Sequence, residues 1–331
     1  MSNASFFLKL HSLVRSTFPL LLIVTLLMVL TTPAAAQGDV SFSLGSNTTV
    51  FCTGENAVVS IGLSDVSSLF GYQFILHYDP DLVGASGAFI NTFFDASTQA
   101  SVPGGWSATC SSGTCRFAAS KVEPGAPVSG SGMLAQVTLT GIDTGLVNLT
   151  LSEDILSDRD ARPIAHTTTS LELTVCGYAS LSGTVALQGR DTPFNAGQVT
   201  LTDADGIFGP YTASFSPSTG AFSFSNVKVM PAGTNYRLDA IHGLYLGSRT
   251  THTLRPLDTY AAPATRLKGG DADNSGLIDI SDLTCIGGSF DSTPVICGTT
   301  GSSDINADGK INILDLVLAG SNYGLSAPQG W

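Results

Sequence analysis

Two twelve-residue stretches concentrate the oxygen donors of this chain: Asp271-Ala272-Asp273-Asn274-Ser275-Gly276-Leu277-Ile278-Asp279-Ile280-Ser281-Asp282 and Asp304-Ile305-Asn306-Ala307-Asp308-Gly309-Lys310-Ile311-Asn312-Ile313-Leu314-Asp315. Each places a side-chain oxygen at positions 1, 3, 5, 9 and 12, a glycine at position 6 and isoleucine at position 8. The spacing suits calcium, a hard cation that takes six to eight oxygens at about 2.3–2.6 Å. Alternate residues of a tightly wound loop point inward, and the glycine supplies the sharp turn at positive φ. Position 7 gives its backbone carbonyl, and the apolar position 8 anchors the loop to a core.

In the first loop the expected side-chain ligands are Asp271, Asp273, Ser275 and Asp282, with Asp279 acting directly or through water and Leu277 giving its carbonyl. In the second they are Asp304, Asn306, Asp308 and Asp315, with Asn312 at position 9 and the carbonyl of Lys310. Two calcium ions are therefore expected. The loops are an internal repeat at an offset of 33 residues, and Ile278/Ile311, Ile280/Ile313, Leu283/Leu316 and Gly287/Gly320 are identical across it. The pattern fits the EF-hand loop, but a helical pattern only follows each loop and none precedes it. Both loops also carry Asp, rather than the usual Glu, at position 12. Loop-then-helix, twice, resembles a dockerin over residues 269–325. That resemblance implies a cohesin-bearing partner recognised through loop positions 10 and 11 and the following helix. Those positions are Ile280, Ser281, Ile313 and Leu314, in place of the Ser-Thr pair found in many dockerins.

Upstream, the chain reads as mainly β, with two sandwich modules. Residues 37–177 contain short alternating runs at 40–44, 58–63, 133–140 and 146–151, and a strand in which Tyr72, Phe74, Leu76 and Tyr78 share one face before Asp79-Pro80 ends it. This strand, the loop Ser129-Gly130-Ser131-Gly132 before Met133-Leu134-Ala135-Gln136-Val137, and the strand beginning at Gly145 resemble a cohesin module of jelly-roll type. The resemblance implies a sheet face that binds a dockerin or, as in its relatives, a polysaccharide; it singles out no contact residue. Residues 178–256 carry Leu181-Ser182-Gly183-Thr184-Val185, then Gly197-Gln198-Val199-Thr200-Leu201-Thr202, then Gly220-Ala221-Phe222-Ser223-Phe224, then Tyr236-Arg237-Leu238-Asp239-Ala240. That order is similar to transthyretin-like, carboxypeptidase-regulatory-type β-domains, which serve as spacers. Residues 257–268, with Pro263 and small side chains, read as a linker.

Lys9 and Arg15, the apolar run at 19–30 and Ala34-Ala35-Ala36 form the three parts of a secretory signal peptide over residues 1–36. Its removal leaves 12 basic against 26 acidic residues, a net charge of −14 that disfavours nucleic acid as a partner. Six cysteines in an exported chain indicate disulfides and allow fifteen connectivities. Pairing neighbours within modules gives Cys52–Cys176, Cys110–Cys115 and Cys285–Cys297. Without a Cys-x-x-Cys pair, thiol metal binding is the poorer reading.

Nothing in the motifs calls for catalysis. His77, His166, His242 and His252 are scattered, and no nucleophile elbow, His-Glu-x-x-His or phosphate loop is present. Glu153, Asp154, Asp158 and Asp160 cluster after a strand; a solvated loop suits them better than a glycosidase pair. The leading expectation is a secreted, non-catalytic adaptor for extracellular polysaccharide-degrading or cell-surface assemblies. A carbohydrate-binding first module is the alternative, weakened by having only Trp106 and Trp331 for sugar stacking. A cryptic glycoside hydrolase comes third.

Overall fold

The computed structural model describes residues 39–90, 92–95, 107–122, 124–191 and 197–331. The expected signal peptide over 1–36 and Trp106 lie outside the described residues. The chain is mainly β, with two short helices near the end of the sequence. No helix among the described residues is long and apolar enough to cross a membrane.

The first module is a sandwich of two sheets. One contains β1 (Ser41–Ser46), β3 (Asn56–Leu69), β5 (Val83–Phe89), β8 (Val128–Gly141) and β10 (Thr167–Thr168), in the order β10-β1-β3-β8-β5. The other is built from β2 (Val50–Cys52), β4 (Gly71–His77), β6 (Ser107–Ser111), β7 (Thr114–Ser120), β9 (Gly145–Ser157) and the first part of β11 (Leu171–Leu187). Along this second sheet the strands run β11-β9-β4-β7-β6, with β2 beside β11. Alternation decides which residues go inside. β3 buries every second side chain from Ala57 to Leu63, and the two inner faces meet around Phe42, Ile61, Phe74, Phe117, Leu134 and Leu149. The Phe74 and Phe117 rings stack with centroids 4.9 Å apart.

β11 does not stop at the end of this module. It is a 17-residue strand whose first part pairs with β2 and β9. Its second part pairs with β14 (Ala221–Val229), β17 (Thr259–Ala261) and β18 (Thr265–Asp271). Around this second part lie β12 (Gln198–Asp203), β13 (Tyr211–Ser214), β15 (Thr234–His242) and β16 (Leu244–Leu254). The residues expected to form a linker, 257–268, are thus part of the second module and carry β17 and most of β18. The reason is packing: Thr265 and Leu267 point inward while Arg266 and Lys268 point out, and Leu267 joins the module's core.

That core also crosses the boundary expected before residue 269. Val185, Leu187, Leu246 and Leu267 share one cluster with Ile278, Ile286, Ile305, Ile311 and Leu318. Of these, Ile286 belongs to helix α1 (Ile280–Gly288) and Leu318 to helix α2 (Ile313–Ser321). A ~60-residue segment has only a marginal core of its own, and here it shares one with the neighbouring sheet. The disulfides are Cys52–Cys176 between β2 and β11, Cys110–Cys115 across the β6–β7 hairpin, and Cys285–Cys297 from α1 to the connection that follows it.

Candidate calcium centre

β18 delivers Asp271 directly into the first loop, so the first donor is held by the sheet. The Ser275 N–H donates to Asp271 Oδ1 at 2.9 Å and the Gly276 N–H to Asp271 Oδ2 at 3.0 Å, which winds the loop around its own first carboxylate. Gly276 makes the turn at φ +81° and Gly309 does the same in the second loop, a conformation that costs glycine little. At the far end, Asp282 is fully buried. It accepts from the Asp273 N–H (3.1 Å) and the Asp279 N–H (2.8 Å), closing the loop on itself.

Asp279 and Asn312 each serve as N-cap of the helix that follows. Asp279 Oδ1 accepts from the Ser281 N–H at 2.7 Å, and Asn312 Oδ1 from the Leu314 N–H at 2.8 Å. Together with Asp282 and Asp315 they form capping boxes. Position 12 therefore has two tasks: one carboxylate edge starts the helix and the rest of the group faces the loop.

Asp271, Asp273 and Asp282 bring carboxylate oxygens within 4.8 Å of one another. Burial, reinforced by the charges of Asp282 and Asp273 and opposed by the hydrogen bonds from Gly276 and Ser275, pushes the Asp271 carboxyl up to about 6. Asp282 and Asp304 are also raised, chiefly by burial. Buried acids that raise one another are the electrostatic counterpart of a cation site. The second loop repeats the scheme. Asp304 Oδ2 accepts from Gly309, and Asp315 accepts from Ile305 and Asn312. Asn306 and Asp308 are hydrogen-bonded to each other. Asp304 Oδ1 is buried without a hydrogen-bond partner, an oxygen lone pair that a bound cation would satisfy. The donor set, all oxygen and mostly carboxylate, fits calcium. The Leu277 carbonyl lies at the loop's rim, accepting from Ser275 Oγ at 3.1 Å.

Ile280, Ile313 and Leu314 are each more than half exposed, and Ser281 is exposed beside them. Val317, one turn after Ile313 on α2, is likewise more than half exposed. The helix after the second loop was expected to take part in recognition, but Val317 was not singled out on it; its signal is the i+4 spacing from Ile313.

The other acids serve local structure. Asp154 Oδ2 meets His166 Nε2 at 2.8 Å, and the other ring nitrogen of that histidine lies 2.8 Å from the Ile164 carbonyl. Asp158 accepts from the N–H groups of Asp160 and Arg162. His77 faces Ser152 Oγ at 2.6 Å on β9.

No protein-family model matches the chain, and no curated protein matches it. Solved cohesin structures are similar to part of it. A non-cellulosomal cohesin from the archaeon Archaeoglobus fulgidus is 13% identical, with a TM-score of 0.33, over 41% of this chain and 91% of that one. A type II cohesin from the Acetivibrio cellulolyticus cellulosome is 16% identical, with a TM-score of 0.31, over 41% and 95%. A type I cohesin–dockerin complex from Clostridium thermocellum contributes a chain 11% identical, with a TM-score of 0.36, over 41% and 93%.

Proposed function

We propose that the chain is an exported, non-catalytic adaptor whose closing segment is a dockerin-like, calcium-dependent docking end. The observation that carries the reading is the triad Asp271, Asp273 and Asp282, set in a loop-and-capped-helix unit that recurs 33 residues later. In this reading Asp271, Asp273, Ser275, Asp279 and Asp282, with the Leu277 carbonyl, hold one ion. Asp304, Asn306, Asp308, Asn312 and Asp315, with the Lys310 carbonyl, hold the other. The cation neutralises acids that otherwise repel one another, so binding contributes to folding as well as to occupancy.

The exposed apolar side chains Ile280, Ile313, Leu314 and Val317, together with Ser281, are then the contacts for a cohesin-bearing protein. The first module, cohesin-like by its strand pattern, accepts a dockerin or a polysaccharide through one sheet face. The second, transthyretin-like by its strand order, spaces the two ends. Three disulfides support an oxidising, extracellular setting.

The test is calorimetric titration of the full chain with calcium, followed by capture on an immobilised cohesin with and without EDTA. Uptake of about two ions, as two loops of this kind require, and EDTA-sensitive capture support the reading. Absence of calcium uptake removes it. Uptake without capture on any cohesin of a type I and type II panel keeps the metal sites and removes the partner.

A further inference from the structure

The two loops match in sequence but are held differently. Asn274, at position 4 of the first loop, is outside the ligand set. Its Oδ1 accepts the Leu244 N–H of the second module at 2.6 Å, and its Nδ2 lies 3.3 Å from Thr300 Oγ1. Position 4 of the second loop is Ala307, in the same left-handed conformation (φ 55° against 59°) and with no side chain to reach a neighbour.

The chain after α2 adds a second restraint. It folds back along the first loop: the Gly324 N–H donates to the Ile278 carbonyl, the Ile278 N–H to the Leu325 carbonyl and the Ala327 N–H to the Gly276 carbonyl, at 2.8–2.9 Å. It then continues as β19 (Gln329–Gly330), paired with β16. Trp331 fastens its end: the indole N–H donates to the Pro263 carbonyl at 2.7 Å, and the ring lies edge-on to Phe222. Over residues 309–311 of the second loop, the backbone bond from another segment among the described residues is Asp291 N–H to the Ile311 carbonyl. The carboxylates differ accordingly. Asp271, Asp273 and Asp282 converge within 4.8 Å, whereas the position that matches Asp273 in the second loop is Asn306, which leaves Asp304 and Asp315 as the matching carboxylates.

We infer that the first loop is the tighter calcium site, and that Asn274 and the 324–331 segment are positioning residues that hold it closed against the second module. This rests on the calcium reading above. A loop ordered before the metal arrives loses less conformational freedom on binding, and that difference appears as affinity. The charge of the ligand set also favours the first loop, with Asp at positions 1, 3, 9 and 12, so the test must leave the ligands untouched.

The experiment is isothermal titration of the full chain with calcium chloride in two backgrounds. Asp304→Ala isolates the first loop and Asp271→Ala isolates the second. The first-loop event is expected to be the tighter. Asn274→Ala and Trp331→Ala, each added to Asp304→Ala, are expected to weaken it about tenfold, in the range found when outer-shell partners of metal ligands are removed. Added to Asp271→Ala, the same changes are expected to leave the second-loop event in place. Ala307 shows that alanine is accommodated at position 4, so Asn274→Ala remains informative if the tryptophan variant fails to fold. Equal weakening of both sites, no change at the first, or a tighter second loop overturns the inference. A wild-type chain that takes up no calcium overturns the metal reading instead.

Discussion

At the residue scale, the candidate ligands stand out in the sequence because loop chemistry is local. All twelve donors fall within two short stretches, and the need for a glycine turn and an apolar anchor fixes their order. Asn274 was not legible. Its partner Leu244 is 30 residues away, and nothing in the spacing reveals that a position 4 side chain reaches another module. The double duty of Asp282 gives a direct prediction. Asp282→Ala leaves the Asp273 and Asp279 N–H groups without their acceptor. It should cost about 1–3 kcal/mol of stability even in EDTA, and calcium should no longer restore the midpoint. Thermal melts with and without calcium check both parts. A variant that melts like the wild type in EDTA would show that the capping role is unimportant.

At the element scale, β1, β3, β4, β8 and β9 of the first module were readable because apolar residues alternate along them, while β2, β5, β6, β7 and β10 were not singled out. β18 was not readable. Of its inward residues only Leu267 is large and apolar, beside Thr265 and the buried Gly269, and its partner β11 comes from eighty residues earlier in sequence, at Val185↔Thr265. Leu267 lies under both the second sheet and the helical end, in one core. Leu267→Ala should therefore cost about 2–5 kcal/mol and lower the unfolding of sheet and helices together. Urea titrations followed by fluorescence and far-ultraviolet circular dichroism should give coincident transitions. Two separated transitions would divide the core that the structure joins. The helices make the complementary prediction. Leu314 is exposed, so Leu314→Asp should change stability by no more than about 0.5 kcal/mol while abolishing capture on a cohesin. Unchanged capture would move the docking face elsewhere.

At the scale of the whole molecule, the junction between the two β-modules is held by more than a passing chain. β11 runs through it, and Cys52–Cys176 fixes β2 to it. Gly177 leaves room for no side chain, since an added Cβ would lie 2.8 Å from Thr144 and 2.9 Å from Pro256. Across the junction Lys228 Nζ meets Glu55 Oε1 at 2.7 Å, and the Tyr178 hydroxyl donates to the same oxygen. The Lys228 hydrogen bond, aided by the Cys52 N–H, holds the Glu55 carboxyl below its usual range, and Glu55 raises Lys228 in turn. A depressed carboxyl contributes stability above its ordinary value and loses it as pH falls through the lowered one. Both side chains are more than a third exposed, so the pair should contribute at most about 1 kcal/mol, less in high salt. The melting midpoint of the wild type should fall more steeply than that of Glu55→Gln between about pH 5.5 and pH 3. Parallel slopes would remove Glu55 from the account. Of this only the Cys52–Cys176 pairing was visible in the sequence, where residues 177 and 178 otherwise read as the place one module ends and the next begins.

The continuous β11 also determines how the protein would respond to being pulled. If its first module and its helical end are held by different partners, tension between them runs through a single strand of 17 residues, about 55 Å when extended. The strand is flanked in parallel by β2, β17 and β18. A load along its axis would shear these ladders, so that many hydrogen bonds resist at once instead of opening one after another like a zip. The Cys52–Cys176 bridge would keep the first of those ladders attached after its hydrogen bonds had given way.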